Sequence, residues 1–131
     1  MKYMLLMQGT KADFEWYAKW SKEDLMANMN FMRTLSKELK DAGQFVETRG
    51  LAWPSEAKLV RAGKDGAPIT DGVFPESKEF LAGYWIVEVA SAEEAYKIAA
   101  RLSAAPGGGK DRGTMPIEVR PVTSGMPEEK L

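Results

Sequence analysis

The sequence predicts an α+β domain in which one antiparallel sheet carries two helices in the order βαββαβ. Three observations lead there. Residues 2–8 and 84–89 are near-continuous apolar runs of strand length. Leu25, Met29, Met32, Leu35 and Leu39 recur at steps of three and four, the spacing of one helical face. Ser91-Ala92-Glu93-Glu94 has the form of a capping box at the start of a second helix.

The elements follow in order. In residues 2–8, Tyr3, Leu5 and Met7 point one way and Met4 and Leu6 the other, so both faces are apolar and the strand is expected at the centre of the sheet. Residues 9–20 read as a loop holding Phe14, Trp16, Tyr17 and Trp20, packed as a satellite cluster or stacked on a planar ligand. Ser21, with Asp24 three residues on, opens the first helix, whose methionines fill core gaps. Gly43 stops that helix at the position after its cap.

Residues 44–53 form a second strand and 57–62 a third, followed by turn chemistry at Gly63-Lys64-Asp65-Gly66 and a short extended piece at 69–76. Residues 84–89 come next, with no polar side chain before Glu88. In the second helix Ala92, Ala95, Ala99 and Leu102 give a face of small residues that sits close on a sheet, and Pro106-Gly107 ends it. Residues 115–122 are the last strand. With the short extended piece set aside, the order is the ferredoxin-like βαββαβ plan. One domain spans 1–122, and 123–131 is a frayed tail. The helices of that plan lie on one sheet face. A first strand apolar on both sides leaves the other face to be covered, and a second copy of the chain, related by a two-fold, is the expected cover.

Composition narrows the chemistry. The chain has 131 residues and a net charge of −1, from eighteen basic and nineteen acidic residues. It lacks the basic field that draws nucleic acid. It has no cysteine and no histidine, which excludes disulfides, thiolate catalysis, zinc–sulfur sites and Ser–His constellations. No stretch approaches the roughly 20 apolar residues that span a bilayer. The opening MKYMLLMQG is too short in its apolar run for a secretory signal, and the expected location is cytoplasmic.

Most apparent motifs dissolve under spacing. The glycines before Lys110 resemble a phosphate loop, but Ala104 stands where the first glycine belongs and Asp111 where a Ser or Thr belongs. Glu93-Glu94 and Glu128-Glu129 are sequence neighbours with no third ligand, so no metal and no cofactor is expected. Glu88, Glu118 and Arg120 interrupt apolar strands. Glu118 and Arg120 share a face and either reach water at a sheet edge or serve a covered interior.

The stretch TDGVFPESKEFLAGYWIVEV, residues 70–89, combines a turn at Asp71-Gly72, an anchor at Phe74 and the charges Glu76, Lys78 and Glu79 just before a strand. It resembles the signature of the DGPF proteins, a branch of the YCII-related family: Thr70, Asp71, Gly72, Phe74, Glu76, Lys78, Glu79, Gly83 and Tyr84 match, and Val73 replaces the proline of the motif. MKYMLLM, Gly50-Leu51 and EVRPV resemble other parts of the same frame. The resemblance implies a ferredoxin-like chain forming a dimeric α+β barrel with a cleft. Some relatives resemble lyases that use a His–Asp pair; this chain has no histidine, and Ala105-Pro106-Gly107 stands where the aspartate would be.

Three readings follow. The first is a homodimeric small-molecule-binding or accessory protein whose ligand meets Asp71, Gly72, Phe74, Lys78 and Glu79. The second is an acid–base enzyme, lyase-type or other, using Lys78, Glu79, Asp71 or Glu76. The third is a protein-interaction module that makes contact through its aromatic loop.

Overall fold

The computed structural model describes residues 1–72, 78–108 and 115–125. Ten elements occur in the order β1 (Lys2–Gly9), α1 (Lys11–Ala18), α2 (Lys22–Asp41), β2 (Phe45–Gly50), a short 3-10 turn (Pro54–Glu56), β3 (Leu59–Ala62), β4 (Pro68–Asp71), β5 (Phe80–Glu88), α3 (Ala92–Ser103) and β6 (Ile117–Pro121). The main sheet runs β2-β5-β1-β6 with every pair antiparallel. This α+β arrangement is consistent with the ferredoxin-like plan. β1 is central, as its two apolar faces require.

Period-two alternation sorts the sheet into two faces. On one face, cross-strand rows run Thr48–Trp85–Leu5–Val119 and Gly50–Gly83–Met7–Ile117. This face meets the helices. Tyr3, Leu5, Trp85 and Val87 form one buried cluster with Leu35 and Leu39 of α2 and Ala95, Ile98, Ala99 and Leu102 of α3. On the other face the rows are Glu47–Ile86–Met4–Arg120 and Arg49–Tyr84–Leu6–Glu118.

Four sequence expectations change. Residues 9–20 are not a loop: α1 occupies 11–18, held by a full capping box in which Thr10 accepts from the Asp13 N–H and Asp13 accepts from the Thr10 N–H at 2.8 Å. Aromatics on several sides of α1 hide its helical period, because a short helix beside a groove has no single apolar stripe. Residues 57–62 do not enter the main sheet either. β3 pairs only with β4, as a separate hairpin whose Leu59, Val60 and Ile69 are all exposed. The second and last strands are also shorter than read, and residues 51–53 leave the sheet after β2, although the Leu51 N–H still donates to the Ala82 carbonyl at 2.9 Å. β5, conversely, starts earlier, at Phe80.

The fourth change is on α2. Its inward positions include Asn28 rather than Met29. Asn28 Nδ2 donates to the Pro106 carbonyl at 2.9 Å, while Met26 and Met29 are half exposed and fill no core gap. Only Leu35 and Leu39, in the second half of α2, are fully buried, so its first half stands off the sheet. The helix caps are as read: Ser21 accepts from the Asp24 N–H, Ser91 from the Glu94 N–H, and Gly43 takes φ 71° after α2. The Glu94 carboxylate reaches back to the Ala90 N–H at 2.8 Å, one residue beyond the reciprocal position of a strict box.

This packing has a measurable consequence. Leu5→Ala should cost about 2–5 kcal/mol in a urea melt. Met29→Ala should stay within about 0.5 kcal/mol of the parent, whereas a methionine in a core stripe would cost several times more.

Candidate functional site

The groove left under the first half of α2 is the candidate site. It encloses about 940 Å³ between α2, α1 and the helix-facing end of the sheet, a volume within the usual range for small-molecule clefts. Its floor is low because two glycines are paired across strands, Gly50 on β2 with Gly83 on β5. A Cβ on Gly83 would stand 2.8 Å from the Arg49 carbonyl, so the strands approach too closely there for any side chain. Trp85, 1% exposed, closes the inner end of the floor.

One wall is aromatic. α1 and the residue after it present Phe14, Trp16, Tyr17 and Trp20, and Trp53 follows β2. Trp16 and Trp20 meet edge to face at 5.1 Å, as do Phe14 and Trp53 at 6.0 Å, and Tyr17 and Trp20 lie tilted at 4.8 Å. The loop after α3 holds this wall from behind. Gly107 and Gly108 take φ 131° and 76°, and a Cβ on either would run into the rings of Trp20 and Trp16. The glycines that resemble a phosphate loop therefore serve as the contact surface for two tryptophans. All four tryptophans of the chain line the cleft.

The opposite wall and mouth carry the charges. Arg33, Lys37 and Lys40 come from α2 and Arg49 from β2, against Asp13 and Asp41. Asp41 is paired with Lys37 at 2.8 Å, and Asp13 serves the α1 cap. Lys40 lies over the Phe45 ring, and Arg49 donates to the Thr48 carbonyl at 2.7 Å. Both acids thus have structural roles, and the cationic side of the cleft is the larger. Among the described residues no three metal-ligating side chains come together.

The described residues among those picked from the sequence, Asp71, Gly72, Lys78 and Glu79, do not line this groove. Asp71 ends β4 and pairs with Arg61 at 3.3 Å, with both side chains more than half exposed. Gly72 and Glu79 are exposed, and Lys78 lies over the Phe80 ring at 5.5 Å from its centroid. Phe80 lines a second hollow of about 410 Å³ with Phe14, Trp53 and Pro54. Phe74 and Glu76, like Lys110 and the tail from 126, fall outside the described residues. Of the 70–89 stretch, Ala82 and Trp85 line the larger cleft, and Gly83 pairs with the lining residue Gly50. The sequence signals for that cleft are the aromatic run from Phe14 to Trp20, one reading of which is a stacking surface, and the two glycines Gly50 and Gly83.

The open sheet face holds a second polar arrangement. The Tyr84 hydroxyl donates to Glu47 at 2.5 Å, and that bond holds the phenol above its ordinary pKa. Glu118 and Arg120 do share this face and stand 3.7 Å apart. Glu88 receives the N-terminal ammonium at 2.6 Å, which lowers its carboxyl below the ordinary value.

The family of the chain is shown by comparison. Residues 1–117 match the YCII-related domain. The chain belongs to the YCII-related family. It is also similar to an uncharacterised protein of Rhizobium meliloti (strain 1021), 30% identical over 110 residues, covering 84% of this chain and 85% of the relative. The motif from Thr70 to Tyr84 is compatible with the DGPF branch of the family. Among the described residues no helix is long and apolar enough to cross a membrane.

The glycine contacts give a direct check of the cleft wall. Gly108→Ala should destabilise the protein by more than about 1 kcal/mol, because it adds backbone strain to a ring collision. It should also shift tryptophan emission, which Gly125→Ala, with no neighbour near its Cβ position, should leave unchanged.

Proposed function

We propose that this YCII-related protein is a homodimeric small-molecule-binding protein whose ligand lies in the aromatic cleft between α2 and the sheet. The observation that carries this reading is the cleft itself: a low floor at the Gly50–Gly83 pair and a lining that includes every tryptophan of the chain. Binding is favoured over acid–base catalysis because Asp13 and Asp41, the acids that line the cleft, are occupied by a helix cap and an ion pair. Lys78 and Glu79 remain the proposed alternative, beside the smaller hollow at Phe80.

An aromatic fragment library tests this, read by tryptophan quenching and by thermal shift. A cleft ligand at a hundredfold excess over its Kd should raise stability by about 2.7 kcal/mol. Gly50→Phe should abolish the effect while the fold survives, since a Cβ at Gly50 meets nothing within 4 Å. Lys78→Ala and Glu79→Ala should leave it intact. Binding that survives Gly50→Phe but is lost in Lys78→Ala would move the site to the Phe80 hollow.

The dimer is supported by the charge pattern of the open face. Met4, Leu6, Ile86 and Tyr84 form its apolar centre. One cross-strand row ends in Glu47 and Arg120, the next in Arg49 and Glu118. A two-fold axis between two such faces, along or across the strands, sets acid against base at both edges. The exposed β3–β4 hairpin offers further apolar surface. Sedimentation at micromolar concentration should show a dimer, and Leu6→Glu a folded monomer. A monomeric parent protein would remove this part of the reading.

A further inference from the structure

The cleft changes character between its inner end and its mouth. At the inner end Met7, Met32, Leu102 and Ile117 carry the buried cluster into the lining, and none of these side chains is a strong hydrogen-bonding group. At the mouth Arg33, Lys37, Lys40 and Arg49 line the cleft, and all four are exposed. Arg33, Lys37 and Lys40 follow one another on α2 at steps of four and three, so they share one helical face. The Lys40 ammonium lies 4.9 Å from the centroid of the Phe45 ring at the start of β2, which brings this face alongside the edge strand that carries Arg49. The acids of the lining do not balance these cations. Asp41 takes Lys37 at 2.8 Å, and Asp13 serves the α1 cap. Lys40 stands in the last turn of α2, where a cation complements the helix dipole. Arg33, in mid-helix, has no such role and makes no hydrogen bond or ion pair among the described residues. Arg49 donates to the Thr48 carbonyl and has further N–H donors to offer. The whole chain carries a net charge of −1, so the cationic excess is local, and a concave surface of one sign concentrates its field on what enters.

We infer that the cleft takes an amphipathic organic anion, with its apolar body inward and its oxyanion at the mouth between α2 and the edge of β2, anchored by Arg33. The inference rests on the cleft being the binding site, and it adds the charge of the ligand and the direction in which it lies. The direction follows from desolvation. A charged group at the inner end would be buried among side chains that cannot pair with it. At the mouth the same group keeps part of its water and gains the cations. An amine of the same shape would meet those cations as a like charge and be rejected. A carboxylate and a phosphate share this chemistry, since the guanidinium fork of Arg33 fits the oxygens of either.

Three probes with one apolar body test this by calorimetric titration of the full chain: β-naphthoate, β-naphthyl phosphate and the neutral β-naphthamide. At least one anion should bind about tenfold more tightly than the amide, through several exposed cations acting together. Whichever anion gains more identifies the oxyanion, and either result supports the inference. Arg33→Gln should weaken that anion by about threefold to fivefold, the scale of one exposed ion pair, and leave the amide unchanged. Lys64→Gln removes the same charge from the exposed turn between β3 and β4, away from the cleft lining, and should leave all three probes at parent affinity. Asp41→Asn, which frees Lys37, should act in the opposite sense and tighten the anion. Raising the ionic strength from about 0.01 M to about 1 M shortens the screening length from about 30 Å to about 3 Å and should erase most of the preference, a readout that needs no variant to fold. Equal affinity for the anions and the amide, or a preference that survives Arg33→Gln or high salt, overturns the inference and leaves the cleft standing. If no probe binds, or if all still bind Gly50→Phe, the cleft reading falls and this inference falls with it.

Discussion

The close approach of β2 and β5 at Gly50 and Gly83 governs the rest of the molecule. At every other inward position of these strands a side chain fills the space toward the helices: Phe45 against Val87, then Thr48 against Trp85. At Gly83 the Arg49 carbonyl occupies the place a Cβ would need. The sheet therefore loses a layer at one end, and α2 follows the contour. Its second half is anchored by Leu35 and Leu39, and its first half bridges a void. Hydrophobic burial would normally draw such a helix down onto the sheet. Here Asn28 is tied to the Pro106 carbonyl instead, which fixes the free half of the helix to the loop after α3 at 2.9 Å.

The void is finished by α1, a helix too short to be stable alone. Its capping box, its edge-to-face aromatic contacts and the glycine loop behind it supply what its length does not. Each of these devices is local and polar or aromatic, and none contributes to the buried cluster under α3. The cluster and the cleft are therefore different kinds of packing on one sheet face, the first made of aliphatic side chains and the second of rings at a water-facing groove.

Legibility in the sequence divides along the same line. Elements that bury an aliphatic stripe, such as β1, β5, α3 and the second half of α2, can be read from periodicity because burial imposes it. α1 could not be read that way, since its rings face a groove, a neighbouring ring and solvent in turn. Yet Thr10-Lys11-Ala12-Asp13 has the same cap spacing as Ser21-Lys22-Glu23-Asp24, which opens α2. The substitution of Asn28 for Met29 on the inner face of α2 was hidden because polarity argues against burial until its carbonyl partner, 78 residues away, is known. The β3–β4 hairpin has strand chemistry but no sheet to join, and pairing partners are not written in a strand's own residues. For the site, the charges before β5 stand out in the sequence, whereas Ala82 and Trp85 within β5 line the cleft.

β5 also shows how two proposed roles coexist in one strand. Gly83 and Trp85 lie on the helix-facing side, where Trp85 lines the cleft, while Tyr84 and Ile86 lie on the open face. A strand cannot shift its register by one residue without exchanging the two sets. The proposed ligand site and the proposed dimer face are thus locked to each other in position, though they share no side chain. That geometry allows coupling in one specific form. Anything that slides β5 against β2 would alter the Gly50–Gly83 floor and the Glu47–Tyr84 bond together, because both cross the same pair of strands. The irregularity between Phe45 and Glu47 is where the β2–β5 ladder is already interrupted. It is therefore the one point in the ladder where a change on the assembly face has slack to reach the cleft floor.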